Sequence, residues 1–195
     1  MKMIKAYYAV ASVLLVVLVG WFSALNLVEG STVTVSATVA SSVTCSTDAS
    51  STAFGTLTST AVATSTPNAS STLSCNTGLG CTLSINDANA GLATSSPAYT
   101  IPATRGALSA ATEGYGIIAT TTATGSGGTL GIATIYLQNF NSNTVGELNT
   151  TSTVLASSTS AISNREVVVK HKAAISGTTQ AASYADTITY SCTGN

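Results

Sequence analysis

No stretch beyond residue 30 repeats its apolar residues at helical spacing; what recurs is alternation. Val33, Val35, Ala37 and Val39 alternate with Thr34, Ser36 and Thr38, the period-two signature of a half-buried strand. Residues 56–58 and 61–63 read as short strands before the break at Pro67-Asn68. Residues 71–74 and 82–85 read as strands on either side of a turn, and 87–91 as a loop. Pro97 and Pro102 bracket a segment around Tyr99 that reads as a sheet edge, since proline cannot donate to a ladder. Residues 115–119 alternate weakly, 125–128 form a flexible glycine turn, 129–138 a long strand and 139–143 a loop. Residues 166–175 are the strongest strand and 184–192 the last. Short strands with frequent turn signals predict an all-β domain over residues 31–195, built as a Greek-key sandwich.

Composition decides whether such a chain folds at all. Only 7% of its residues are charged, and abundant Ser and Thr would also suit a disordered, mucin-like stalk. Disorder, however, goes with low hydrophobicity and high net charge. Here 45% of residues are hydrophobic and the net charge is −1, so a packed β domain is expected. Beyond residue 30 the only Lys and Arg residues are Arg105, Arg165, Lys170 and Lys172. No basic stripe exists to neutralise phosphates, which argues against nucleic acid as a partner. A nearly neutral surface keeps copies apart poorly, a liability for a free monomer but tolerable in an assembly.

The amino terminus predicts export. Lys2 and Lys5 precede 23 uncharged residues, 6–28. As a helix this run would span roughly 30 Å, the thickness of a bilayer core. A basic start, an apolar run and small residues at Ser23-Ala24 and Glu29-Gly30 also fit a cleaved signal peptide. Residues 1–30 are therefore a signal peptide or a membrane anchor. Either reading keeps the basic end in the cytoplasm and carries residues 31–195 to the cell surface or the extracellular space.

Four cysteines, Cys45, Cys75, Cys81 and Cys192, lie in the exported part. An even count there predicts disulfides, and no pair has zinc-ligand spacing. Three pairings are possible. Cys75 and Cys81 flank Asn76-Thr-Gly-Leu-Gly80, a tight-turn sequence, and could bond each other.

The residues that carry chemistry are sparse, which points away from an enzyme and from any cofactor. His171 is the single histidine and shares a strand face with Val167 and Val169. A structural imidazole fits that place better than a catalytic base. The seven carboxylates are scattered and nominate no acid–base pair. Asp87, Asn86 and Asn89 could offer oxygens to calcium, but the EF-hand pattern is missing and a polar turn accounts for them. Asp186 reads as a structural hydrogen-bonding residue. Gly125–Gly128 lacks the Lys-Ser/Thr of a phosphate loop. Tyr99, Tyr115, Tyr136 and Phe140 could stack on sugars, though packing is their commoner use.

Several segments, in order, resemble the spore coat protein U / fimbrial-subunit group of bacterial surface domains. They are Ala37-Thr-Val-Ala-Ser-Ser-Val-Thr-Cys45, Ala53-Phe-Gly55, Thr72-Leu-Ser-Cys75, Cys81-Thr-Leu-Ser-Ile-Asn86 with Asn89-Ala-Gly91, and Ser183-Tyr-Ala-Asp-Thr-Ile-Thr-Tyr190. Cys81 and Cys192 are additions to that group's pattern, and residues 92–165 match it little. The resemblance implies an immunoglobulin-like sandwich, a role in a pilus or coat, and a bridge between the first two cysteines. That pairing is Cys45–Cys75, which leaves Cys81–Cys192. The latter would close a loop of about 110 residues and contribute roughly 4–5 kcal/mol. The resemblance further implies β-strand addition, in which an extended segment of one subunit completes the sheet of the next. Residues 31–40, carrying Val33, Val35, Ala37 and Val39, are the candidate donor, unless they form the first strand of a complete sandwich. The expected function is an exported structural subunit partnered by copies of itself or related surface subunits. The alternative is a monomeric, tethered or secreted adhesin that binds glycan or protein.

Overall fold

A computed structural model of the chain describes residues 30–48, 51–96 and 98–195. The expected helix over 6–28, and with it the choice between signal peptide and anchor, lies outside the described residues, as does Pro97. The described residues are all β. In chain order the strands are β1 Val43–Thr47, β2 Ala63–Thr64, β3 Ala69–Cys75, β4 Cys81–Asp87, β5 Gly91–Ser95, β6 Ala98–Pro102 and β7 Gly106–Ala107. They continue with β8 Gly114–Thr121, β9 Ser126–Gly127, β10 Gly131–Ile132, β11 Thr144–Val145, β12 Thr153–Ser157, β13 Ile162–Ala174 and β14 Ile188–Gly194.

Among the described residues β5–β6 and β7–β11 form two-stranded antiparallel sheets, and two larger antiparallel sheets share one core. The first runs β1–β3–β13, with β2 on the same side of β13 as β3 and with β8 and β9 on the other. The second runs β10–β12–β4–β14. Strand alternation fills the space between them. In β4, Cys81, Leu83, Ile85 and Asp87 are buried while Thr82, Ser84 and Asn86 are half-exposed. From the first sheet, Leu73, Val167 and Val169 meet Leu83, Ile85 and Leu155 of the second in one cluster of buried residues. Each such side chain contributes about 1.5–3 kcal/mol on leaving water.

The weak alternation at 115–119 has a simple cause: β8 is covered on both faces. Tyr115, Ile117 and Ala119 join the main core. Ile118 packs with Leu108, Val145 and Ala174 in a second cluster, beside Phe140 of the 139–143 loop. A strand buried on both sides has no reason to alternate.

Several expectations need correction. Residues 30–42 contain no strand, and Val33, Val35 and Val39 are 84%, 89% and 85% exposed. Alternation makes a strand possible, but the ladder needs a partner. Residues 56–58 form no strand, and of 61–63 only Ala63 enters one, the two-residue β2. The long strand expected over 129–138 is only Gly131–Ile132. Beyond it the chain turns, with the amides of Tyr136 and Leu137 bonding the Ala133 carbonyl at 2.9 and 3.1 Å. Tyr136 holds that turn inward through its hydroxyl, which lies 3.1 Å from the Glu147 carbonyl and 2.9 Å from Thr153 Oγ1. The glycine turn at 125–128 is pinned: the Arg165 guanidinium donates to the carbonyls of Gly128, Thr124 and Gly127 at 3.0, 3.2 and 3.1 Å. The last strand begins at Ile188 rather than at 184, because Ala185 pairs with Ala93 instead of continuing along β4.

The disulfide pairing implied by the family resemblance is also overturned. All four cysteines are bonded, but as Cys45–Cys192 and Cys75–Cys81. Cys75 ends β3 and Cys81 begins β4, so the turn between them crosses from one sheet to the other and the bridge closes it. Cys45 lies in β1 and Cys192 in β14, the edge strands of the two sheets on the side where both end. Each bridge therefore ties one sheet to the other.

Candidate assembly edge and a buried carboxylate pair

Among the described residues β1 pairs only with β3, and β14 only with β4. Neither strand carries a charge or a proline, the usual devices that block pairing at an edge. The chain entering β1 is held by Asn76, whose backbone amide donates to the Ser42 carbonyl at 3.2 Å and whose side chain adds two bonds. Asn76 Nδ2 donates to the Ala40 carbonyl at 2.8 Å, and the Ser42 amide donates to Asn76 Oδ1 at 2.7 Å. A shallow groove of about 390 Å³ lies alongside, lined by Ser42, Thr44, Ser74, Asn76, Ile162 and Ser163.

At the other end of β4 the fold assembles something the sequence did not nominate. Ile188 pairs with Asp87, so Asp186 comes to lie over the 88–90 turn, where Asn89 Nδ2 donates to Asp186 Oδ1 at 3.4 Å. The Thr187 amide donates to the same oxygen at 2.8 Å. Asp87 is 1% exposed. Neither of its carboxylate oxygens has a hydrogen-bond partner, nor has Asp186 Oδ2 or the Tyr190 hydroxyl. Burial raises the pKa of both carboxyls, and for Asp186 the Asp87 charge raises it further. The amides of Ala90 and Gly91 offset part of the effect at Asp87, although neither reaches hydrogen-bond geometry. Burial also raises the Tyr115 hydroxyl, with added repulsion from Asp186, Tyr190 and Asp87. These four side chains thus share one region. Asn86, grouped with Asp87 in the sequence, points to the opposite face because strand neighbours alternate.

His171 faces inward with Val167 and Val169 and stacks on Tyr115, ring centroids 6.3 Å apart and planes 11° from parallel. Burial pushes its pKa down to about 4, and neither ring nitrogen has a partner. Tyr115 and Tyr136 are 2% and 0% exposed, which removes them from the sugar-stacking set. Phe140 lies under Lys170 Nζ, 4.0 Å from its ring centroid. Tyr99 packs edge-on against Tyr184 and donates to Glu113 at 2.7 Å. Burial alone would raise the Glu113 carboxyl, but hydrogen bonds from Thr179, Tyr99 and Ser176 outweigh it and lower the pKa. Glu166 is held low chiefly by Ser70 and Thr122. Lys172 Nζ donates to Thr64 Oγ1 at 3.1 Å and Asn143 Oδ1 at 3.0 Å, fastening the 139–143 loop to β2 and β13.

Among the described residues no three His, Cys, Asp or Glu side chains gather as a metal cluster. The carboxylate pair left no signal in the sequence, since Asp87 and Asp186 stand 99 positions apart and meet only through the β4–β14 register. Comparison of the chain with protein-family models, with curated proteins and with solved structures finds no match.

Proposed function

We propose that this chain is an exported structural subunit of a pilus, coat or similar surface assembly, joined to its neighbours by β-strand addition. The observation that carries the reading is the exposed strip at 33–39. Val33, Val35 and Val39 stand 84–89% exposed at alternate positions, with no charge and no proline among them. Buried against a neighbour, each valine would contribute about 1.5–3 kcal/mol, and the strand backbone would gain a ladder. Two further features support it: uncharged edges at β1 and β14, and a surface with too little charge to keep copies apart. In this reading the two sheets form an immunoglobulin-like Greek-key sandwich. Residues 1–30 direct export and are cleaved or remain in the membrane.

The test is negative-stain electron microscopy of the surface fraction of expressing cells, with antibody against residues 31–195. Labelled filaments or lattices are expected, and their loss in a Val33→Asp/Val35→Asp variant that is still exported and folded. Diffuse membrane label in the parent would instead favour a monomeric adhesin. Filaments unchanged by the substitutions would remove strand addition through this segment.

A further inference from the structure

The Asp87–Asp186 region is not explained by packing. A carboxylate removed from water needs hydrogen bonds or a counter-charge. Asp87 has neither: it is 1% exposed, and both oxygens lack a partner. Asp186 uses one oxygen on the Thr187 amide and Asn89, and leaves the other buried and unpaired. The hydroxyl of Tyr190, two residues along β14 from the Ile188 that pairs with Asp87, is also buried and unpaired. Arg165, Lys170 and Lys172 are committed elsewhere, to the 124–128 carbonyls, to Phe140, and to Thr64 and Asn143. The nearby imidazole, His171, is stacked on Tyr115 and held neutral by burial. Among the described residues no positive side chain reaches either oxygen of Asp87 or the free oxygen of Asp186.

We propose that Asp87 and Asp186 form a binding site for a hard divalent cation of the calcium class, with Asn89 and Tyr190 supplying further oxygens. The donor set decides the class. It is all oxygen, with two carboxylates and neutral amide and phenol groups, and contains no thiolate or imidazole; such sets favour calcium-like ions over zinc or copper. The arrangement also gives the ion a structural role. It would tie the β4–β5 turn to the segment entering β14, at the opposite end of β14 from the Cys45–Cys192 bridge. The inference does not depend on the assembly reading, and a free monomer would bind equally well.

The experiment uses the full chain in detergent, stripped with a chelator and titrated with terbium, whose luminescence the adjacent tyrosines would sensitise. A saturable signal of one ion per chain is expected, displaced by calcium, with a melting temperature that rises in calcium over chelator. Asp186→Asn, at a half-exposed position, should weaken binding at least tenfold while the chain keeps its β circular dichroism. Asp87→Asn should do the same if it folds. The proposal is overturned if no saturable binding occurs, or if the Asp186→Asn protein binds as the parent does. Calcium-independent melting combined with stability that rises on acidification would also overturn it. That result would show the two carboxyls sharing a proton instead.

Discussion

Removing the Cys45–Cys192 bridge should be the most costly single covalent change in the molecule. The two cysteines stand 147 residues apart, against 6 for Cys75–Cys81. A cross-link restricts the unfolded chain more when it closes a longer loop, and for these lengths the chain-entropy treatment gives about 5 and about 2 kcal/mol. Packing adds little to the first figure, because Cys45 is exposed and Cys192 half-exposed. Cys75 and Cys81 are 5% and 0% exposed, so their removal adds a cavity cost to a smaller entropic one. Native-state relaxation commonly reduces such effects, so Cys45→Ala/Cys192→Ala should lose about 3–5 kcal/mol. Denaturant unfolding under non-reducing conditions, with free thiols alkylated, reads this directly. The pattern matters more than the size. Either single substitution breaks the same bond, so each should cost nearly as much as the double, leaving a large coupling energy in the double-mutant cycle. Additive costs at Cys45 and Cys192 would refute the reasoning. So would a non-reduced digest that joined Cys45 to Cys75.

Acid should weaken the fold through His171. Its pKa is lowered from 6.5 to about 4, so the unfolded chain takes up a proton first. The His171 contribution to stability therefore falls as pH drops from 6.5 to 4 and levels off outside that window, a total of about 3 kcal/mol. His171→Leu should remove that slope in denaturant titrations at stepped pH. Asp87 and Asp186, whose raised pKa values act with the opposite sign, are common to both proteins and cancel in the difference; equal slopes would show the imidazole to be solvated. Gly80→Ala should destabilise by about 1–3 kcal/mol or prevent folding, because Gly80 has φ +81° and a Cβ there would lie 2.2 Å from the Ser158 carbonyl oxygen. A melting temperature equal to the parent's would mean that this crossing is looser than described. Tyr136→Phe should lose about 1–2 kcal/mol with its two hydrogen bonds, seen as a lower denaturant midpoint; an unchanged midpoint would show that the hydroxyl does not anchor the 134–136 turn.

The class of fold was legible in the sequence because strand alternation is local. Leu83 and Ile85 must share a face of any strand that contains them, as must Val167 and Val169, and each pair does so in the core. The same locality explains the errors. Residues 33–39 and 129–138 alternate well, yet a strand requires a partner, and no local pattern reports whether one exists. Residues 115–119 alternate poorly because a second layer covers β8, a fact held by Leu108, Val145 and Phe140 rather than by β8 itself. What the sequence determined alone was its β character, the bonding of all four cysteines, and the scarcity of charge that leaves its edges unguarded. Which cysteines pair, and that Asp87 meets Asp186, were decided by the tertiary structure. Both depend on the register that places β14 against β4 and β1 at the facing edge. Register between strands about a hundred residues apart follows from filling one core, not from any neighbouring residue.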